Sequence, residues 1–208
     1  MRKRRLAVVV LLVCAAILGC GSKLYLNSNY EYHQPGRDLK LALIPAAGND
    51  GTMLDSLFTL IFDDSSRSQI LVRPGEIRNE LSTDSALLTV VNKMLKAEYS
   101  KDNLKSGVNL KNTLTAGEYA LLSNGLGNPD IVLVPVVFGI KSLGVVTSGF
   151  SRVRLFDIRD GSLIYENSLD LNVELGGDEG RVYMALGLIG FAKDDYIEHF
   201  WTKYIEEW

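Results

Sequence analysis

Side chains able to do acid–base or nucleophilic chemistry are few and scattered along this chain. A serine or cysteine nucleophile ordinarily needs a base beside it, and only two histidines are present, His33 in "YEYHQPG" and His199 in "YIEHFW". His199 is expected on a helix with no serine motif nearby. The acidic pairs Asp63–Asp64 and Asp194–Asp195 offer carboxylates of the kind that hold a cation or cleave a glycoside. Adjacent residues on a helix or turn point in different directions, so a solvated helix end is the expectation for each pair. The glycines of "GNDG" and "GLGNP" read as turns, since neither precedes the Lys-Ser or Lys-Thr pair of a phosphate-binding loop. No catalytic, cofactor-binding or metal-ligating residue is assigned, and the chain is expected not to be an enzyme.

Cysteine chemistry is better defined. The first five residues, "MRKRR", carry four positive charges, and "LAVVVLLVCAAIL" follows with no charged side chain. A basic start, a short apolar run and small residues at its end make up a secretory signal, and the run is short for a span that needs about 20 apolar residues. The closing positions Ile17, Leu18, Gly19 and Cys20 resemble the cleavage motif of bacterial lipoproteins. That resemblance implies that Cys20 becomes the first mature residue, with a diacylglyceryl thioether on sulfur and an acyl chain on nitrogen. An uncleaved anchor, or an ordinary signal cut before Cys20, is the alternative. Lipidation is preferred because cleavage discards Cys14, so a mature chain with one cysteine forms no internal disulfide, and a free exported thiol is unusual.

The domain organisation expected is a signal at 1–19, a lipidated cysteine with a flexible tether at 20–38, and a globular domain at 39–208. The tether, rich in Asn, Ser and Tyr, would span roughly 20 to 25 Å; its tyrosines either pack on the domain or graze lipid headgroups. Removing four of the 22 basic residues with the signal leaves 18 against 25 acidic, a net charge of −7, which argues against nucleic acid as a partner. Gly21 and Ser22 follow the cysteine where an aspartate would retain an enterobacterial lipoprotein in the inner membrane. The resemblance therefore implies the outer membrane, facing the periplasm.

The elements follow from periodicity. "LKLALIP" reads as a buried strand and "SQILVRP" as a second short one, and within "AAGNDGTMLDSLFTLIF" small residues and Asp50 are expected to cap a helix. From Pro74 a helix is expected to run on through "DSALLTVVNKMLKAEY". Thr115 and Glu118 form a capping box for the next, stopped by Gly125 or Gly127. "DIVLVPVVFGIKS", "SGFSRVRLFDIRDG" and "SLIYENSLDLNVEL" are three further strands, the last two joined by the tight turn "RDG". A helical stretch from Arg181 to Trp208 closes the chain. The fold class expected is α+β, a single domain with a mixed sheet of about five strands ending in an antiparallel meander, helices packed against it, and a long C-terminal helix.

The segments "LSNGLGNPDIVLVPVVFGI" and "RVRLFDIRDGSLIY" resemble those of the curli-secretion lipoproteins, the lipoprotein activators of peptidoglycan synthases and the N-terminal domain of TolB. A curli-type pore is rejected, because a membrane strand needs about 9 to 11 alternating residues and the loops "KSLGVVTSG" and "SKDNLKSGVNLKNT" are too short or too polar. Synthase activators imply a partner-binding surface without chemistry. The expected function is a non-enzymatic envelope lipoprotein that binds, assembles or regulates an envelope protein, anchored to the membrane at Cys20. Its candidate docking residues are Tyr196, Phe200, Trp201, Tyr204 and Trp208, although a core-facing stripe is the commoner fate of that spacing. The alternative is an envelope hydrolase or small-ligand receptor with a site in the acidic loops. A cleft lined by Asp63, Asp64 or Asp178 would favour that alternative, and an exposed apolar patch near the C-terminal helix would favour a partner.

Overall fold

Every run that reads as a strand becomes one, and one further strand joins them. The computed structural model describes residues 17–31, 39–46, 51–63, 69–96 and 109–206. Its strands are β1 (Ile17–Leu26), β2 (Leu39–Leu43), β3 (Gln69–Val72), β4 (Ile131–Leu143), β5 (Val146–Asp157) and β6 (Leu163–Val173). They form a single sheet in the order β1-β6-β5-β4-β2-β3. β2 lies parallel to β3 and β4, whereas β4, β5, β6 and β1 pair antiparallel in turn. This is the mixed sheet with a closing meander of an α+β domain.

Helices cover both faces. They are α1 (Gly51–Phe62), α2 (Pro74–Thr83), α3 (Ser85–Lys96), α4 (Ala116–Gly125) and α5 (Gly177–Tyr196), which continues in a wider, π-type winding over Ile197–Glu206. Leu41, Leu43, Ile131 and Leu133 face Leu54 and Phe58 of α1 and Leu188 and Ile189 of α5. Ala42, Ile44, Val132 and Val134 face the other way, onto Val90 and Met94 of α3 and Leu122 of α4. Strands buried on both sides lose the polar half of their alternation, which is why "LALI" and "IVLV" are apolar throughout.

Three departures from the sequence expectations have local causes. Residues 20–26 are not a free tether: β1 pairs in continuous register with β6, from Cys20↔Leu171 to Leu26↔Tyr165. The alternation Lys23, Leu24, Tyr25, Leu26 suits an edge strand, and its pairing covers an edge of β6 that would otherwise stand open. The chain stays docked beyond the strand. Asn27 N–H donates to the Ile164 carbonyl at 3.0 Å, and Tyr30 is buried with its hydroxyl donating to Asp157 at 2.8 Å. Residues 1–16 of the signal and 32–38 of the expected tether lie outside the described residues.

The second departure concerns the helix expected to run on from Pro74, which is two helices. Asp84 adopts an extended backbone, φ −111° and ψ 98°, and its carboxylate accepts from the N–H groups of Ala86 and Leu87 at 2.9 Å, starting α3 afresh. Third, "KSLGVVTSG" is not a loop. Ser142 pairs with Thr147 and Leu143 with Val146, leaving Gly144 and Val145 as a two-residue turn. Gly144 has φ +61°, the conformation that a tight hairpin requires of its first central residue.

Candidate functional site

The proposed lipid attachment point sits at one end of the sheet. Between Ile17 and Cys20 the register of β1 against β6 is irregular, and the regular ladder starts at Cys20. Cys20 stands opposite Leu171, Leu171 opposite Gly149, and Gly149 opposite Ile140, so these four residues form one row across the sheet. The β4–β5 turn projects from the same end, three residues beyond that row. Leu143 and Val145 are 79% and 77% exposed there, and Val146 is 38% exposed.

The opposite end of the sheet is polar and closed. Asp157 accepts from the Tyr30 hydroxyl at 2.8 Å and from the backbone N–H and Nε of Arg159, each at 2.9 Å; Arg159 Nη2 also donates to it. Burial, reinforced by the Asp157 carboxylate, raises the Tyr30 phenol far above its ordinary value, so it remains a donor at any physiological pH. Asp130 clasps Lys40 through a reciprocal pair, accepting from its N–H on the side chain and donating its own N–H to the Lys40 carbonyl, both at 2.8 Å. Gly161 of the "RDG" turn has φ +82°, and a Cβ there would stand 2.6 Å from Asn109 Oδ1. Each carboxylate at this end is committed to holding a strand, a turn or a tyrosine.

The remaining candidates are placed as follows. Tyr196, Phe200 and Trp201 are core residues, at most 4% exposed, so the docking role expected of them fails. Tyr196 stacks on Phe200 at 5.7 Å and meets Phe62 of α1 at 5.8 Å, and its hydroxyl donates to Gln69 at 3.1 Å. Tyr204 is half-buried and packs edge-on against Tyr30 at 5.3 Å, with its hydroxyl donating to the Tyr30 carbonyl at 3.2 Å. Trp208 lies outside the described residues, as do His33 and Asp64. The stripe is buried because the docked N-terminal segment and α1 supply its cover, a partnership that helical spacing alone does not specify.

Asp63 forms an exposed ion pair with Arg73 at 3.2 Å. Asp178 occupies the first turn of α5, a favourable place for an acid beside the helix dipole. Asp194 and Asp195 lie in the last turn of α5. Asp195 is pushed up to about 6, chiefly by burial and further by Glu198 and Asp194. Its carboxylate accepts from Asn167 Nδ2 and lies 3.8 Å from His199 Nε2. Beside it a cavity of about 10 Å³, bounded by Ser151, Tyr165 and Asn167, has room for about one water. The Tyr165 hydroxyl and Asn167 Oδ1 are buried there without a protein partner, as expected of a solvated core niche; no substrate fits. Among the described residues no three His, Cys, Asp or Glu side chains converge as metal ligands, and no helix is long and apolar enough to cross a membrane.

A larger groove of about 510 Å³ opens beside β3, between α2 and the end of α4, and is bordered by Lys40, Glu76 and Glu80. Asp63 and Asp178 take no part in it. No local pattern signals this groove, because it arises where α2, ending at Thr83, and α4, starting at Ala116, come together beside the short edge strand.

No family model and no curated protein matches the chain. Solved structures with a similar arrangement include the PelC dodecamer from Paraburkholderia phytofirmans, at 9% identity and TM-score 0.40, covering 83% of this chain and 96% of that one. Another is the hypothetical protein CT253 from Chlamydia trachomatis, at 16% identity and TM-score 0.44, covering 76% and 83%. A third is lipoprotein GNA1162 from Neisseria meningitidis, at 13% identity and TM-score 0.39, covering 76% and 99%. The neighbours thus include a lipoprotein and a hypothetical protein, both from bacteria.

Proposed function

We propose that this chain is a bacterial envelope lipoprotein, anchored by acyl chains on Cys20, that acts as a non-enzymatic module binding or regulating an envelope partner. The observation that carries the proposal is that the residue which the signal pattern makes the first of the mature chain lies within β1, where its unbroken pairing with β6 starts. The signal pattern places cleavage before Cys20, and the regular β1–β6 ladder begins at Cys20. Cleavage there would leave a mature chain whose first residue is already in the sheet. The non-enzymatic part is supported by the engagement of Asp55, Asp130 and Asp157 in structural bonds, Asp55 holding Arg78 Nε at 2.7 Å and the Ala46 N–H at 3.1 Å. The outer membrane remains the preferred location because no aspartate follows Cys20.

Intact mass and detergent partitioning of the native protein beside Cys20→Ala test the anchor. The native chain is expected to lose its first nineteen residues, gain acyl mass and enter detergent, while the variant stays aqueous. An unacylated native chain would overturn the proposal. A small-ligand receptor is the second possibility, favoured by the groove at Lys40, Glu76 and Glu80. Loss of a bound metabolite on Lys40→Ala, followed by native mass spectrometry, would establish it instead.

A further inference from the structure

We infer that the β4–β5 hairpin tip, Leu143–Val146, is a membrane-contacting element that enters the interfacial zone of the same leaflet that holds the lipid on Cys20. This rests on the lipoprotein reading of Cys20 and adds a second point of contact, which fixes how the domain stands on the bilayer.

The placement follows from register. The Cys20 row ends at Ile140 on β4, and the tip begins three residues farther along, at Leu143. At about 3.3 Å per residue the turn reaches roughly 10 Å past the anchor along the strand direction. A sulfur carrying a diacylglyceryl group in thioether linkage sits at the level of the lipid glycerol, so a tip extending that far enters the acyl side of the headgroup boundary, within the about 5 to 10 Å that interfacial elements bury. Four residues are far short of the 9 to 11 that a spanning strand needs, so the tip dips in without crossing.

Its chemistry fits that depth. Leu143, Val145 and Val146 form a contiguous apolar point with no charged residue between them. Exposed aliphatic side chains at the apex of a tight turn have no role in the described core, and a contiguous apolar patch marks a surface meant for an apolar neighbour. The tip is also braced. Gly177 N–H donates to Ser142 Oγ at 2.8 Å, and the Thr147 hydroxyl donates to the Leu175 carbonyl at 2.6 Å. Gly176 lies so close that a Cβ there would stand 1.8 Å from the Gly144 carbonyl oxygen. These contacts lock the base of the turn to the β6–α5 connection, so its side chains are held outward.

The occupant is a lipid surface because the chain's own anchor leaves from this end: β1 runs from Ile17 here to Leu26 at the polar end. The charges on the tip's own strand and on the β6–α5 connection braced against it are Lys141 and Arg181 together with Glu174, Asp178 and Glu179. An end with more acid than base gains nothing from anionic headgroups, so apolar insertion supplies the contact, and it should survive high salt.

The test uses the lipidated full chain carrying Val145→Cys, with Leu143→Cys as a second site and Asn112→Cys as the control near the polar end. Each thiol bears a nitrobenzoxadiazole label, and the protein is reconstituted into phosphatidylcholine vesicles containing nitroxide-labelled acyl chains. Labels at 143 and 145 are expected to shift blue and to be quenched several-fold more than the label at 112, with no loss at high salt. Equal quenching at all three positions, in protein that co-floats with the vesicles, would overturn the inference and leave the anchor standing. A label shielded from water but insensitive to nitroxide would place a second copy on the tip and overturn it too. Protein without acyl mass that fails to float would remove both.

Discussion

The two ends of the sheet are built on opposite plans. At the polar end, Asp157, Asp130, Tyr30 and Asn109 direct their hydrogen bonds to strands and turns of their own chain. At the other end, the side chains of Leu143 and Val145 stand in solvent above a base fixed by Ser142, Thr147 and Gly176. Both ends are tight turns, and both use a glycine with positive φ, Gly161 in one and Gly144 in the other. What differs is where the side chains go, inward to hold the fold or outward to meet something else. Hydrogen-bonded polar residues serve the fold at one end, and aliphatic side chains spared from the core stand exposed at the other.

Substitutions should separate the ends. The largest effect is expected for Asp157→Ala, which removes the acceptor of the buried Tyr30 hydroxyl and of Arg159 Nε; losing a buried, charged acceptor of this kind costs about 3 kcal/mol. Urea denaturation measures it, and a loss below about 1 kcal/mol would show the polar end to be less committed to the fold than its bonds imply. Gly176→Ala forces a methyl group against the Gly144 carbonyl, and a cost of about 1–3 kcal/mol is expected from overpacking. Partial proteolysis cutting first at the tip would locate the damage.

A pH effect comes next. Asp195 binds its proton more tightly in the folded chain, with its value raised from 3.8 to about 6. Its contribution to stability is therefore full below the ordinary value and fades as pH rises through about 6. Asp195→Asn should flatten that slope, as urea midpoints collected across the window would reveal; an unchanged slope would assign it to other groups. The smallest effect is expected at the tip itself. Val145→Ser should change stability by less than about 0.5 kcal/mol, since the side chain touches little, and a larger loss would mean that the turn belongs to the core after all.

Much of the fold was legible because its strands are doubly buried and its caps are chemically explicit. "LKLALIP" and "DIVLVPVV" could hardly be anything but strands, and the Thr115–Glu118 box closes as its residues require, with Thr115 N–H donating to Glu118 Oε2 at 2.7 Å. β1 was hidden because its alternation is short and abuts a signal sequence. The aromatic stripe was ambiguous for a deeper reason. Period alone gives Tyr196, Phe200 and Trp201 a common face, but only the tertiary structure says that α1 and the segment around Tyr30 already occupy it. The tip carries no local signal because "LGVV" has no polar turn residue, and its single glycine reads as a pause in an apolar run.

The antiparallel pairing of β1 with β6 also has a mechanical meaning. A pull on the chain at Cys20 acts along the axis of β1, at right angles to the hydrogen bonds that join Cys20–Leu26 to Tyr165–Leu171. Those bonds are loaded together, in shear, instead of being opened one after another like a zipper. Edge strands are commonly the first to peel away, but this one is gripped lengthwise, and the sheet resists as a unit whatever drags on Cys20.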